Sequence, residues 1–260
     1  MNRFFFIGDL HGDTAPIGHL DKEVNLTESD WVILLGDSGI NYWANRPNRM
    51  KIIKKEFGYY FPCKFFVIRG NHEERAERLA AMDPDVWQEM LVTDGIVGLV
   101  RREIEFPNIY YALDVPSVYR INGYSALVLP GAYSADKFYR LERHYNWFEN
   151  EQLSDAEQVI GRELAYLSDH YDFILSHTCP VEYEPTDLFL PMIDQTTVDK
   201  TMELYFSDIN KITNSNFWIF GHYHATRVYP LRPGEGQKIM LFQNALEMSD
   251  ILKGNYWATI

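Results

Sequence analysis

The stretch Phe65–His72 (FFVIRGNH) is a short apolar run that ends in glycine and then in two polar side chains. A run that is apolar at consecutive positions predicts a β-strand buried on both faces. Glycine just beyond such a strand permits a sharp turn and a close approach of other groups. The stretch therefore predicts a layered protein in which one strand delivers Asn71 and His72 to a site at its carboxyl end.

Four other segments of the chain repeat this design. Two of the apolar runs end in Gly-Asp, one ends in Gly-His and one ends in Ser-His. They are Phe4–Asp9 (FFFIGD), Trp31–Asp37 (WVILLGD), Phe217–His222 (FWIFGH) and Asp172–His177 (DFILSH). Because ligands collect outside the carboxyl ends of strands in open α/β sheets, we expect the five strand ends to converge on one crevice.

Helical signals lie between these strands. Residues 73–82 and 154–168 have apolar positions three and four apart, which is the spacing of an amphipathic helix. Ser154 and Glu157 match a capping box, so the second helix is expected to begin there. A further helix is expected over residues 194–210.

The later part of the chain favours hairpins. Asn122-Gly123 separates two strand-like runs, which predicts a β-hairpin across residues 118–129. Further strands are predicted at residues 226–229, 238–242 and 256–259, with a hairpin loop at 230–236. Taken together, these patterns predict a mixed α/β fold in a single domain that spans residues 1–260.

Charge and composition narrow the possible partners. The 260 residues include 24 Lys or Arg and 37 Asp or Glu, which gives a net charge of −13. This balance opposes binding along extended duplex nucleic acid, where Lys and Arg normally supply the affinity. No apolar run approaches the roughly 20 residues that span a bilayer, so no membrane partner is expected.

The two cysteines, Cys63 and Cys179, lie far apart and form no CxxC pair. This spacing argues against a disulfide framework and makes the cytoplasm the expected compartment. Cys179 follows His177 by two residues. It is therefore either a soft metal ligand or, as is more common for a lone thiol, a small buried residue.

Histidines and carboxylates concentrate at the strand ends. Five of the eight histidines lie there, together with Asp9, Asp37 and Asn71. Mixed imidazole and carboxylate donors suit Mn, Fe or Zn. The candidates outnumber the four ligands that one zinc takes, but they suffice for two metals that share a carboxylate. Paired metals recur in enzymes that hydrolyse phosphate esters.

The five motifs, in their order along the chain, resemble those of the calcineurin-like metallophosphoesterases, in a bacterial or phage-type branch. The matching motifs are Asp9-Leu10-His11, Gly36-Asp37, Gly70-Asn71-His72-Glu73, His177 and Gly221-His222-Tyr223-His224. The resemblance extends over residues 9–224. It implies a four-layer α/β/β/α sandwich of two mixed β-sheets flanked by helices, which agrees with the mixed pattern above.

The resemblance also implies a set of roles. One divalent metal would be held by Asp9, His11, Asp37 and His224. The second would be held by Asp37, Asn71, His177 and His222, with Asp37 as the bridge. A hydroxide between the metals would attack phosphorus, and His72 would protonate the leaving group as general acid.

The implied activity is that of a hydrolase acting on ester bonds, with a small phosphate monoester or diester as substrate. The second motif departs from protein Ser/Thr phosphatases, because Ser38-Gly39-Ile40 stands where those enzymes carry Asp-Arg-Gly, and no Arg occupies that place. The last two motifs resemble the phosphodiesterase and nuclease branches. Three alternatives stay open: a Ser/Thr phosphatase-like enzyme, a nuclease for short single strands, and a metal-binding scaffold without catalysis.

Other segments offer candidate substrate contacts. Lys137 and Arg140 lie in the aromatic segment 131–147, which is either a lid over the site or a solvated surface connection. Asn41 follows a predicted metal-ligand strand and is a third candidate contact. The apolar segment 185–193 either covers the site or packs as an ordinary loop.

Overall fold

A computed structural model describes residues 2–189 and 191–257. Within these ranges, thirteen strands and seven α-helices form a mixed α/β fold. The strands are β1 Phe4–Ile7, β2 Trp31–Leu35, β3 Lys64–Ile68, β4 Trp87–Val92, β5 Ile96–Glu103, β6 Ile109–Ala112, β7 Ser117–Ile121, β8 Tyr124–Leu129, β9 His170–Ser176, β10 Asn214–Phe220, β11 Arg227–Val228, β12 Gln237–Met240 and β13 Leu246–Glu247. The helices are α1 Ala15–Val24, α2 Pro47–Tyr60, α3 Ala76–Met82, α4 Lys137–Glu142, α5 Asp155–Leu167, α6 Thr201–Ile212 and α7 Met248–Leu252.

The strands form one continuous, curled sheet. Their order is β11-β12-β10-β9-β8-β7-β5-β6-β3-β2-β1-β13, and β4 pairs with β5. Strand β5 joins two largely parallel halves, because Val100 pairs with β6 and Ile96 pairs with β7. The prediction of a mixed α/β fold is confirmed. The division into two separate sheets stays a prediction, because the described strands are continuous through β5.

The consecutive apolar residues of the first strands serve two cores. Phe6 and Phe66 face a cluster between the two halves of the sheet, where they meet Phe173 and Ile219. Their neighbours on the opposite face, such as Phe5, belong to a second cluster with residues of the helices. Each fully buried Phe contributes about 1.5–3 kcal/mol. Two-sided burial explains why these strands lack polar alternation.

Several predicted elements match the structure. Ser154 caps α5 through a reciprocal capping box with Glu157. The Asn122-Gly123 turn joins β7 to β8, and both residues have the positive φ that such a turn requires. Residues 230–236 connect the antiparallel strands β11 and β12, as expected.

Other elements differ from the predictions. Helix α3 begins at Ala76 and not at residue 73, because residues 71–75 fold into the loop that follows β3. The helix predicted over 194–210 begins only at Thr201, after a short 3-10 turn at Gln195–Thr197. Of the strand predicted at 256–259, Tyr256 and Trp257 lie in a turn, and the rest lies outside the described residues. None of the described helices has the length and hydrophobicity needed to cross a membrane.

Candidate metal centre

The carboxyl ends of β1, β2, β3, β9 and β10 meet at one edge, as the sequence predicts. Glycines permit this convergence. A Cβ atom on Gly70 would lie 2.1 Å from Oδ1 of Asp37, and one on Gly221 would lie 2.5 Å from Oδ2 of Asp9. These positions require glycine because the carboxylates of Asp37 and Asp9 occupy the space that a Cβ atom would need. The carboxylates of two strand ends are thereby held close together.

Five of the candidate donors have left-handed backbone conformations. The φ angles are 56° for Asp9, 50° for His11, 48° for Asp37, 74° for His222 and 51° for His224. Such values are uncommon outside glycine, although Asp and His adopt them more readily than bulky residues. Strained conformations of this kind cluster at functional sites. All five residues lie within four positions of the carboxyl end of β1, β2 or β10.

One group of donors consists of Asp9, His11 and His224. The Nε2 atoms of His11 and His224 lie 2.9 Å apart, and Nε2 of His224 lies 3.9 Å from Oδ1 of Asp9. One donor atom from each of the three residues lies within 4.8 Å of the others. The spacing and the donor types fit a divalent cation with nitrogen and oxygen ligands.

A second group consists of Asp9, Asp37 and His177. Nε2 of His177 lies 3.5 Å from Oδ2 of Asp37 and 2.9 Å from Oδ1 of Asn71. Nδ1 of His177 lies 2.8 Å from the carbonyl oxygen of Leu35. Because Nδ1 donates its proton there, Nε2 is the ring nitrogen turned toward Asp37 and Asn71, which is the usual arrangement behind a metal-binding histidine.

The orientation of Asn71 is also fixed. Its Nδ2 donates to Oγ of Ser134 at 2.9 Å, which turns Oδ1 toward His177. Ser134 in turn is held by the buried carboxylate of Glu151, which accepts hydrogen bonds from both the hydroxyl and the backbone N–H of Ser134. No sequence signal pointed to Ser134 or Glu151, because their contact with Asn71 depends on the packing of a distant loop.

The pKa values of the two buried carboxylates shift in opposite directions. Burial raises the pKa of Asp9 to about 8, and the nearby Asp37 adds to this effect. Burial also opposes ionisation of Asp37, but His72, His177 and His11 together hold its pKa well below the usual range. A buried site with two carboxylates is one that divalent cations would neutralise.

The pKa values of two histidines near these carboxylates shift in opposite directions. Burial disfavours the charged form of His177, but Asp37 and Asp9 outweigh it and raise the pKa to about 9. Burial, together with the charge of His177, holds the pKa of His222 well below its usual value. The backbone N–H of His222 donates to Oδ2 of Asp9 at 2.9 Å, which ties the last motif to the first.

His72 lies beside the two groups but belongs to neither. Its Nε2 is 3.8 Å from Oδ2 of Asp37 and 3.0 Å from Nη2 of Arg140. Burial lowers the pKa of His72 to about 4, and the positive charge of Arg140 acts in the same direction. The imidazole therefore lies at the edge of the centre, where it faces the adjoining cavity.

That cavity has a volume of about 450 Å³. The candidate ligands His11, Asp37, Asn71, His222 and His224 line this cavity, together with His72. The lining also includes Leu188, Phe189, Ile193 and Lys200, so described residues of the apolar segment 185–193 border the cavity. Tyr133, Asp136 and Arg140, from segment 131–147, are also part of the lining.

The three predicted substrate contacts differ in position. Arg140 lines the cavity, where Asp136 holds its guanidinium at 2.8 Å. Lys137 instead lies over the ring of Trp147, 4.3 Å from its centroid. Asn41 lines a separate small interior gap with Arg69. Arg140 is thus the one of the three that the described residues bring to the cavity.

Cys179 is buried in the core around β9 and β10, with its thiol 3.7 Å from the hydroxyl of Tyr223. Burial raises the pKa of this thiol well above its usual value. In the described part of the chain neither cysteine is paired, and Cys179 belongs to neither donor group. The interpretation of Cys179 as a small buried residue is the one that fits.

A sequence profile of the calcineurin-like phosphoesterase family matches residues 2–226. The chain belongs to this family. Membership implies a hydrolase of phosphate esters in general. A search of curated protein sequences gave no significant match.

Solved structures resemble the chain at low sequence identity. The phosphopantetheinyl hydrolase of Mycobacterium tuberculosis is 16% identical, with 93% of this chain and 89% of that chain covered and a TM-score of 0.45. A protein of unknown function from Aquifex aeolicus is 13% identical, with 97% and 99% covered and a TM-score of 0.41. Another structure, 12% identical with 95% of each chain covered, has a TM-score of 0.52, which shows a shared fold.

Proposed function

We propose that the protein is a dinuclear metal-dependent phosphoesterase that hydrolyses small phosphate monoesters or diesters. The observation that carries this proposal is the position of Asp37. Its Oδ2 lies 3.5 Å from Nε2 of His177 and 4.0 Å from Nδ1 of His11, so the carboxylate faces a histidine from each donor group. A carboxylate in that position is suited to bridge two cations.

The proposed ligand sets differ from the two donor groups, which share Asp9, because Asp37 is placed in both sets and Asp9 in the first alone. The first comprises Asp9, His11, Asp37 and His224. The second comprises Asp37, Asn71, His177 and His222. Mn, Fe and Zn are the candidate metals because the donors are imidazoles and carboxylates with one amide oxygen. When bound, two such metals activate water for attack on phosphorus and offset charge on the phosphoryl oxygens.

The remaining chemistry falls to His72 and Arg140. Arg140 is oriented by Asp136 and is proposed to contact a phosphoryl oxygen. His72 is proposed to protonate the leaving oxygen. Its low pKa means that the imidazole is neutral in the free protein at neutral pH. A bound phosphate anion would raise that pKa, because a nearby negative charge favours imidazolium, and would allow proton donation.

The proposal also covers the layer arrangement of the fold and the cellular compartment. The inner and outer clusters of buried residues on both halves of the sheet support a four-layer α/β/β/α arrangement. Two free, buried cysteines are consistent with a reducing compartment such as the cytoplasm. The retention of all seven candidate ligands and of His72 favours an enzyme over a scaffold without catalysis.

The test combines metal content with turnover. Metal-depleted protein would be reloaded with Mn²⁺, analysed by plasma mass spectrometry, and assayed with aryl phosphate monoesters and diesters. We expect two metals per chain and cleavage that EDTA abolishes. Asp37→Asn should lower the metal occupancy of both sites. The control Asp85→Asn, at an exposed position, should bind two metals per chain as the wild type does. One metal per chain would contradict the dinuclear site, and two metals without cleavage would favour the scaffold.

A further inference from the structure

Positive charge is concentrated beside the cavity. We call residues 41–49 and 136–147 the basic rim. These segments carry five Lys or Arg and two Asp or Glu, whereas the whole chain carries 24 and 37. The rest of the protein is therefore more acidic than its net charge of −13 indicates, and the basic rim is the exception. Such a contrast attracts anions to one place.

Hydrogen bonds join the two segments into one surface. Nδ2 of Asn146 donates to the carbonyl oxygen of Tyr42 at 2.7 Å, and Nδ2 of Asn45 donates to Oδ1 of Asn146 at 2.8 Å. Nη1 of Arg140 donates to the hydroxyl of Tyr42 at 3.3 Å, while its Nη2 lies 3.0 Å from His72. The basic rim thus runs without interruption to the edge of the candidate metal centre.

Three cations of the basic rim are available for a ligand. Arg46, Arg49 and Arg143 are exposed, and none of them forms a salt bridge with an acidic group in residues 2–189 or 191–257. Arg49 lies over the ring of Trp43, 3.6 Å from its centroid, and Arg143 lies 5.6 Å from that of Tyr139. Guanidinium groups stacked in this way present a flat outer face together with their charge.

Aromatic rings are exposed between these cations. Phe138 is 64% exposed, Tyr139 is 52% exposed and Tyr145 is 54% exposed. A run of exposed large aromatics is unusual for a surface that only faces water, and it commonly marks an interaction site. Alternating flat rings and cations are the features that proteins use to bind unpaired bases and their phosphates.

We propose that the basic rim binds single-stranded nucleic acid and directs its backbone toward the cavity. The rings would stack on unpaired bases, and Arg46, Arg49 and Arg143 would contact phosphates. A duplex hides its base faces, and an acidic peptide has no bases to stack. Delivery of a phosphodiester for hydrolysis rests on the proposed function: water would add at phosphorus, one P–O bond would break, and a phosphomonoester and a hydroxyl end would result.

The test measures binding without turnover. A fluorescent single strand of about 12 nucleotides would be titrated in EDTA, and anisotropy would be recorded over a range of salt concentrations. The variant R46A/R49A/R143A should bind at least about tenfold more weakly, with a shallower salt dependence. Phe138→Ala should weaken binding by about fivefold or more without changing that salt dependence.

A control variant distinguishes an effect of the basic rim from an effect of net charge alone. K22A/R120A/K253A removes three exposed cations elsewhere and changes the net charge by the same amount. It should bind the single strand with the affinity of the wild type. Thermal denaturation should show that both triple variants are folded. Equal weakening by the two triple variants would overturn the proposal.

Other outcomes distinguish this inference from the proposed function. Absence of binding by the wild type, or tighter binding of a duplex or of a phosphorylated acidic peptide, would overturn the inference even if small esters are cleaved. Strand binding without cleavage in Mn²⁺ would support the basic rim while contradicting the proposed diesterase activity.

Discussion

Gly36 holds the second strand end against His177, and its replacement by Ala tests the geometry of the centre. A Cβ atom at this position would lie 2.2 Å from Nδ1 and 2.9 Å from Cβ of His177. The φ angle of Gly36 is +88°, a region that side chains disfavour. The His177 ring is fully buried, so it cannot move without breaking its 2.8 Å hydrogen bond to Leu35.

The expected loss of stability has three parts. The left-handed backbone costs Ala about 1–2 kcal/mol. Overpacking of a closely packed site costs about 1–3 kcal/mol. Loss of the buried His177 hydrogen bond costs about 1 kcal/mol. Together they predict that Gly36→Ala lowers the free energy of unfolding by roughly 3–6 kcal/mol.

Gly123→Ala is the matched control. Gly123 has nearly the same φ angle, +86°, but a Cβ atom added there would have no other group within 4 Å. It should therefore show only the backbone effect of about 1–2 kcal/mol. Urea unfolding of both variants in EDTA would give the two values free of any contribution from bound metal. If Gly36→Ala loses no more stability than Gly123→Ala, the close approach of His177 is wrong.

Three further predictions concern the centre and its surroundings. His72→Asn should keep two metals per chain but lower turnover of esters with poor leaving groups by about 10²–10⁴-fold; unchanged turnover would exclude it as general acid. Ser134→Ala removes the acceptor that orients Asn71, so affinity for the second metal should fall by about 10–100-fold in metal titrations, with Ser134→Thr restoring it. Burial raises the pKa of Glu203 to about 7, so the folded protein binds more protons than the unfolded chain between pH 4.5 and 7. Unfolding free energy should therefore fall as pH rises through that window, and Glu203→Gln should reduce the slope; an unchanged slope would contradict the assignment.

The parts of the fold that could be predicted are those with local causes. Strands β1 and β2, and β3 after Lys64, are apolar because they are buried on both faces, and a glycine lies within two residues of each strand end. The capping box of α5 and the hairpin turn between β7 and β8 are likewise encoded by a few neighbouring residues. The convergence of Asp9, Asp37 and His177 followed from the same strand-end design.

The parts that were missed depend on long-range packing. The hairpin of β4 and β5 alternates buried and exposed positions, and polar residues occupy much of it, so its strands gave a weak signal. Lys54 is buried because Glu103, from that hairpin, pairs with it. Ser134, Asp136 and Lys200 reach the site from loops whose course the sequence does not encode locally.

Folding of the candidate metal centre is unfavourable in free energy, so the centre depends on stabilisation by the rest of the fold. Five candidate donors adopt left-handed backbone conformations, at on the order of 1 kcal/mol each, and Asp9 and Asp37 are buried side by side. That sum approaches the total stability of a typical domain, about 5–15 kcal/mol. Only a large core can offset it, and the strands that end in these donors also supply Phe6, Ile33 and Phe66 to the inner cluster. The apolar runs thus have two roles, since the same residues that form the core hold strained polar groups in place before any ligand binds.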